Sequence, residues 1–221
     1  MVNKLYSYKS DGFLMFTIQK QNSSNVKETL QSISSKYNVN FSNITKVKQI
    51  HSNKILFVEK VGKYGECDGI LTKNENIIPQ IVTADCIPLF IYDFNEKYYG
   101  IIHCGWRGIA SKIHINAVEF LLSKGCNINN IKIFTGPSIK KCCYKVGEDI
   151  LHNFDSNSFC KINTDYFLDL SSQLTNDLTA KGINKDNITH STICTFDDEK
   201  CHSFRRDGVN SGRMQSIMIK I

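Results

Sequence analysis

The chain has 221 residues, a formal net charge of +6 and 41% hydrophobic content. That is enough for one large domain or two small ones of ordinary globular composition. The lysines are scattered, without a basic run of five or more, which argues against nucleic-acid binding, and no apolar run approaches the roughly 18 residues of a membrane span.

The N-terminal segment MVNKLYSYKSDGFLMF has no long apolar stretch and no small-residue cleavage site, so the chain reads as mature cytoplasmic sequence. Residues 12–18 are expected as a short strand. Asn25 followed by Glu28 matches a capping box, and Val26, Leu30, Ile33 and Tyr37 follow at helical spacing. Extended structure returns over 43–50 and ends at Lys48-Gln49-Ile50-His51. Residues 54–61 read as a strand, 62–65 as a turn, and 67–72 as a turn entering a strand. The stretch 81–108 holds two apolar runs, 81–92 and 98–104, around the polar turn 93–97. Cys86 stands in the first run and His103 in the second. Gly105-Trp106-Arg107-Gly108 then leads into a helix, where backbone amides can face an anion.

Ile109, Ile113, Ala117 and Leu121 stripe that helix, which stops near Gly125. Residues 131–136 form a strand broken by Gly136-Pro137-Ser138, and 142–147 a loop before a short helix with Ile150, Leu151 and Phe154. Leu170, Leu174 and Leu178 mark a helix ending at Gly182; 188–196 and 217–221 read as the last strands. No repeat or linker divides the chain, which indicates one domain of mixed sheets covered by helices. No GxGxxG or Walker-type loop is present.

Nine cysteines (67, 86, 104, 126, 142, 143, 160, 194, 201) are an odd number without a CxxC pair. Without an export signal they read as reduced thiols, Cys142 and Cys143 as packed or loop residues rather than ligands. Trp106 reads as a core wedge or a stacking platform. His114, His152, His190 and His202 have no evident partner. Only four of the 27 basic residues are arginine, confined to two segments: Arg107, then Arg205, Arg206 and Arg213. The planar fork suits bidentate contact with phosphate or carboxylate; surface ion pairing is the plainer alternative.

Six blocks occur in one order: Lys48-Gln49-Ile50-His51, Thr83-Ala84-Asp85-Cys86-Ile87-Pro88, His103-Cys104-Gly105-Trp106-Arg107-Gly108, Gly136-Pro137-Ser138-Ile139, Tyr144-Lys145-Val146-Gly147 and Ser203-Phe204-Arg205-Arg206-Asp207. From about Gln49 onward the chain resembles the YfiH-type laccase-domain family. Its members were once described as multicopper polyphenol oxidases and are now regarded as zinc purine nucleoside phosphorylases with adenosine deaminase activity. The resemblance implies an α+β fold, a single-domain α/β/β/α sandwich with mixed β-sheets over residues 1–221. It also implies Zn2+ held by His51, Cys86 and His103.

Thiolate and imidazole suit zinc, and three protein ligands leave a fourth position for water or substrate, as in a catalytic site. The implied reaction is phosphorolysis of adenosine or inosine, methylthioadenosine being a further candidate, to free base and ribose 1-phosphate. Adenosine deamination at the purine C6 goes with it, since zinc brings the pKa of a water toward about 7. Asp85 and Arg107 are the catalytic candidates, Asp85 as general base or as a residue orienting a ligand or anchoring a turn. Gln49, Arg107, Arg205 and Arg206 are assigned to substrate or phosphate. The implied partners are purine nucleosides and phosphate, with no nucleic acid and no membrane.

Two features depart from the family pattern. Cys104 replaces the usual alanine, which puts a second thiol beside the expected metal site. Phe16–Asn22 lacks the family's N-terminal arginine and glycine pair, with Lys20 as a point-charge stand-in. Two rival readings use the same residues: a metal-free cysteine hydrolase or deamidase with Cys86 as nucleophile and His103 as base, and a non-catalytic zinc-binding protein. Six histidines without an HxH pair argue strongly against a copper phenol oxidase.

Overall fold

In the computed structural model, which describes residues 5–95 and 97–221, the chain opens with a hairpin of Leu5–Ser10 against Phe13–Ile18. Asp11 and Gly12 both take positive φ (51° and 81°), the two-residue turn whose twist suits antiparallel strands. The first of these strands has no sequence forecast, because its half-buried tyrosines alternate with exposed Ser7 and Lys9 and make no apolar run. Of the segments read above, residues 1–4 and Glu96 of the 93–97 turn lie outside the described residues.

Two six-stranded sheets form. The first runs, in spatial order, Leu5–Ser10, Phe13–Ile18, Met214–Lys220, Ile78–Thr83, Ile44–Lys48 and Lys63–Glu66. The second runs Ile188–His190, Ile131–Thr135, Ile87–Asp93, Tyr99–Cys104, Gly69–Thr72 and Ile55–Phe57. Both are mixed, antiparallel at the centre and parallel toward an edge.

Alternation along the strands builds the layers. Phe13, Met15 and Ile81 face inward and meet Phe90, Tyr92, Tyr99, Ile101 and Phe134 of the second sheet. Burying each such side chain contributes about 1.5–3 kcal/mol. Leu14, Phe16, Ile18, Ile217 and Ile219 face outward under the helix Ser23–Tyr37, which supplies Ile33, Val26 and Leu30. Leu89, Ile91, Ile102 and Ile133 do the same under the helices Ile113–Ser123 and Leu170–Ala180. The order is helix, sheet, sheet, helix, the sandwich expected.

Several boundaries differ from the sequence reading. The first helix starts at Ser23, because Asn22 rather than Asn25 is its cap and accepts from Asn25 N at 2.9 Å. Residues 54–61 hold only Ile55–Phe57, and 62–65 contribute to a strand, Lys63–Glu66, paired in parallel with Ile44–Lys48. The helix after Gly105 is two, Trp106–Ala110 and Ile113–Ser123, with Lys112 in the left-handed region between them. The short helix with Ile150 and Leu151 is a 3-10 helix, Glu148–Asn153. A small sheet of Lys145–Val146, Asp165–Leu168 and Phe159–Ile162 has no counterpart in the sequence reading, since its strands are short and only partly buried. Only Ile188–His190 of 188–196 is a strand, and the last strand begins earlier, at Met214.

One difference matters most for function. The run 81–92 is not one strand. Ile78–Thr83 belongs to the first sheet and Ile87–Asp93 to the second, and Asp85 at φ 83° turns the chain between them. Residues 49–54 make the same passage, from Ile44–Lys48 to Ile55–Phe57, with His51 at φ 60°.

Candidate metal centre and cavity

His51 and Cys86 sit in these two crossovers, and His103 lies near the end of Tyr99–Cys104. Their ligand atoms all lie within 4.8 Å of one another, and the two imidazoles meet edge to face with centroids 4.7 Å apart. What assembles them is Asp68, which the sequence reading passed over as part of a turn. Fully buried, it accepts from the N–H groups of Ile50 (3.2 Å), His51 (2.9 Å) and Ser52 (2.6 Å) and from the Ser52 hydroxyl (2.8 Å). Its Oδ1 also meets His103 Nδ1 at 2.8 Å. Three consecutive amides on one carboxylate curl the backbone around it and hold His51 in a conformation that is strained for a non-glycine residue. With Nδ1 committed to Asp68, His103 turns Nε2 toward Cys86.

The electrostatics follow. Burial would raise Asp68, but His103 and the Ser52 and His51 donors outweigh it and hold the carboxyl far below its usual range. Burial pushes His103 down, while Asp68 and Cys86 push it up further, to about 9. Burial pushes Cys86 up, yet hydrogen bonds to His103 and His51 bring the thiol down to about 7. A ready thiolate and two imidazoles, one oriented from behind by a carboxylate, make a donor set that fits a borderline-soft divalent metal ion. Gly105 keeps the space clear: a Cβ there would stand 3.1 Å from both Cys86 Sγ and His51 Cδ2.

Cys104 is not part of this group. It is fully buried in the core beneath the Ile113–Ser123 and Leu170–Ala180 helices, the opposite strand face from His103, and burial keeps its thiol protonated. The expectation of a second thiol at the metal is corrected by the alternation of the strand.

The three side chains line a cavity of about 550 Å³ with Trp106, Tyr144 and Phe204. Arg107, Arg205 and Arg213 also line it. Exposed Arg107 stacks on the Trp106 ring at 4.3 Å, and Arg205 lies 5.1 Å over Tyr144 while donating to the Lys145 carbonyl. Arg213, to which the sequence alone assigns no role, stands in the cavity wall. Trp106 is only partly buried, so it serves both as a core edge and as an aromatic wall. The helix that begins there is five residues long, so the cationic side chains dominate over its dipole.

Three of the residues assigned to the site, Arg206, Gln49 and Asp85, bond to the protein's own groups, and Gln49 and Asp85 also line the cavity. Arg206 does not line the cavity. Its Nε and Nη2 grip Asp207 at 2.9 and 3.0 Å, and its other N–H groups donate to the carbonyls of Thr195, Phe196 and Cys201. Its fork is engaged inside the protein, away from the cavity lining. Gln49 lines the cavity, but its amide exchanges two 2.8 Å hydrogen bonds with the Val82 backbone, as an adjacent strand would. Asp85 accepts from Thr195 Oγ1 at 2.7 Å and from Arg205 N at 2.6 Å. Both its oxygens hold loops, which fits an anchor better than a general base.

Lys20 is not in the lining either; its charge acts on His202 and Asp207, and its N–H donates to the Lys200 carbonyl. Three histidines gain partners the sequence does not show: His114 Nε2 meets Asp177 at 2.8 Å, His190 lies between Thr135 and Thr175, and His152 Nε2 meets Asn153 Nδ2 at 3.1 Å. A larger depression of about 680 Å³, between the first hairpin and the Ser23–Tyr37 helix, is lined by no histidine, cysteine or carboxylate among the described residues.

A two-sheet sandwich with a thiolate and two imidazoles where the chain passes between its sheets defines the class. The chain belongs to the family described as multi-copper polyphenol oxidoreductase laccase, whose model matches residues 7–220. A purine nucleoside phosphorylase of Clostridium acetobutylicum is 29% identical over 229 residues, covering 96% of this chain and 94% of that protein. An adenosine deaminase from an unknown prokaryotic organism is 30% identical over 155 residues, covering 66% of this chain and 59% of its own length. Among solved structures, YfiH of Bacillus licheniformis superposes with a TM-score of 0.85 at 22% identity, covering 95% of this chain and 93% of that one. YlmD of Geobacillus stearothermophilus gives the same TM-score at 20% identity, covering 95% and 92%. Among the described residues no helix is long and apolar enough to cross a membrane.

Proposed function

We propose that this chain is a zinc-dependent purine nucleoside enzyme that cleaves adenosine or inosine with phosphate to free base and ribose 1-phosphate and deaminates adenosine. The observation that carries it is the convergence of His51, Cys86 and His103 in a cavity lined by three arginines. It is supported by relatives named purine nucleoside phosphorylase and adenosine deaminase. Bound zinc would supply a Lewis acid and a water acidified toward neutral pH.

The chain's own residues do the rest. Asp68 sets the His103 tautomer and the His51 loop. Trp106 and Tyr144 offer flat faces for a purine. Arg107, held against Trp106, and Arg205 and Arg213 supply cations for phosphate. Asp85 and Gln49 brace the wall that carries them. We read the whole chain, residues 1–221, as one domain of this type acting in the cytoplasm, in keeping with nine free cysteines.

The test is a nucleoside panel on metal-assayed protein, with and without phosphate, read by chromatography. Free base and ribose 1-phosphate should appear only with phosphate, and inosine from adenosine without it; neither product from zinc-loaded protein sinks the reading. One observation favours a second reading: the low pKa of Cys86 beside His103 also suits a cysteine nucleophile. Rapid alkylation of Cys86 and turnover in metal-free protein would favour that one. A His2Cys set also accommodates copper, so an intense visible thiolate–copper band on purified protein would argue for copper instead.

A further inference from the structure

A second ligand cluster lies outside the cavity. Cys142, Cys143, Cys194 and Asp197 each bring one ligand atom within 4.8 Å of the others. Cys143 Sγ is 3.1 Å from Cys142 Sγ and 3.1 Å from Asp197 Oδ1. Cys142 Sγ is 3.9 Å from Cys194 Sγ and 3.5 Å from Asp197 Oδ2. Around a tetrahedral zinc, bonds of about 2.3 Å to sulfur and about 2.1 Å to oxygen separate neighbouring ligand atoms by roughly 3.6–3.8 Å. The observed separations straddle that range. Three sulfurs and a carboxylate fill four positions and leave none for substrate, the mark of a structural rather than a catalytic site.

We propose that Cys142, Cys143, Cys194 and Asp197 form a second, structural site for a thiophilic divalent cation of the zinc type, separate from the His51–Cys86–His103 centre. The site staples the turn at 142–144 to the turn at 194–198. The strand end just before the first turn already touches the second: Ser138 bridges Cys194 in parallel and Thr195 N donates to the Ser138 carbonyl, while Asp198 N closes the second turn on the Cys194 carbonyl. The two turns also carry the cavity wall. Tyr144 follows Cys143, and Thr195, which holds Asp85, follows Cys194. Arg206 clamps the same 195–196 carbonyls from the other side.

Clustered thiols can instead form a disulfide, and the geometry speaks against it for the nearest pair. Adjacent Cα atoms are about 3.8 Å apart across a trans peptide, below the roughly 4.4 Å at which unstrained disulfides begin. A disulfide would also give Asp197 no role, whereas an ionised carboxylate is acceptor-only and completes a cation's shell.

The test counts metal where only the second site remains. Cys86→Ser/His103→Ala removes the first centre. After zinc loading and gel filtration this variant should retain about one zinc per chain by elemental mass spectrometry. With Co2+ it should show a thiolate-to-cobalt charge-transfer band. Adding Cys142→Ser and Cys194→Ser should abolish both signals. In wild-type protein, which keeps the experiment open if those variants do not fold, zinc should protect Cys142, Cys143 and Cys194 from alkylation as well as Cys86. Asp197→Asn, an exposed and conservative change, should keep the cobalt band and weaken zinc retention. A zinc-free Cys86→Ser/His103→Ala protein, equal alkylation with and without zinc, or a mass two hydrogens lighter under loading conditions overturns the site. None of these readouts depends on nucleoside turnover, so this inference and the proposed activity fail separately.

Discussion

Asp68→Asn is the sharpest perturbation of the metal centre. The substitution keeps size and shape but turns one of two acceptor oxygens into a donor. Oδ2 serves three donors, Ile50 N, Ser52 N and Ser52 Oγ, whereas Oδ1 serves His51 N and His103 Nδ1. The retained oxygen should therefore settle at the Oδ2 position, and the new amide group should face His103. His103 Nδ1 must then accept, which moves its proton to Nε2, the nitrogen turned toward Cys86. Losing a carboxylate behind a metal-binding histidine costs about 10- to 100-fold in affinity, or roughly 1.4–2.8 kcal/mol. The assay is competition for Zn2+ against a chromophoric chelator, run beside urea unfolding of the metal-free protein. Zinc affinity should fall by that factor, with the 50–52 loop largely kept. Unchanged zinc affinity with lower apo stability would make Asp68 a loop anchor alone, and the tautomer argument would be refuted.

Other substitutions separate the arginines. Arg107→Lys should raise the phosphate KM by about tenfold through loss of the planar fork, with apo stability unchanged, whereas Arg206→Ala should cost about 1–3 kcal/mol in urea unfolding through its carbonyl and Asp207 contacts; the reverse pattern would exchange their roles. If the missing N-terminal arginine is not replaced, phosphate should bind roughly 10- to 150-fold more weakly than in relatives that carry it, so adenosine should yield mainly inosine at low phosphate. Free base as the main product at micromolar phosphate would show that another cation has taken its place. Burial, and then the Lys140 charge, keep His190 below the ordinary histidine pKa. The folded protein therefore holds it neutral while the unfolded chain takes up a proton, so its contribution is whole above about pH 6.5 and declines as pH falls below that value. The stability difference between wild type and His190→Gln, measured by urea unfolding, should shrink from pH 7.5 to 5.5; a constant difference would refute the burial argument.

The sequence made the layers legible and the site half-legible, for physical reasons that differ. Phe13–Ile18 and 98–104 are continuous apolar runs because both faces of their strands are covered, and such runs are visible without any partner being known. The run 81–92 looks the same yet spans two sheets, since nothing local marks Asp85 as a bend; the groups that hold its carboxylate, Thr195 and Arg205, lie more than a hundred residues on. His51, Cys86 and His103 were found through the family motifs and not through spacing, because crossovers bring them together in three dimensions. Asp68 was missed for the opposite reason. An aspartate before a glycine reads as turn chemistry, and only its zero exposure reveals a buried charge with five hydrogen bonds. Cys142 and Cys143 read as loop thiols because their third and fourth companions lie some fifty residues downstream.

The placement of His51 and Cys86 in the two passages between sheets bears on the order of events in folding. Neither passage has its shape until both sheets are formed and docked, so the unfolded chain offers no ready three-point site. A cation gripping those two passages and the end of a third strand acts as a rivet, set only after the plates are aligned. Interactions that form after the folding barrier slow unfolding and leave the folding rate nearly unchanged. In this chain, then, a metal bound there should govern the lifetime of the native sandwich far more than the speed of its assembly.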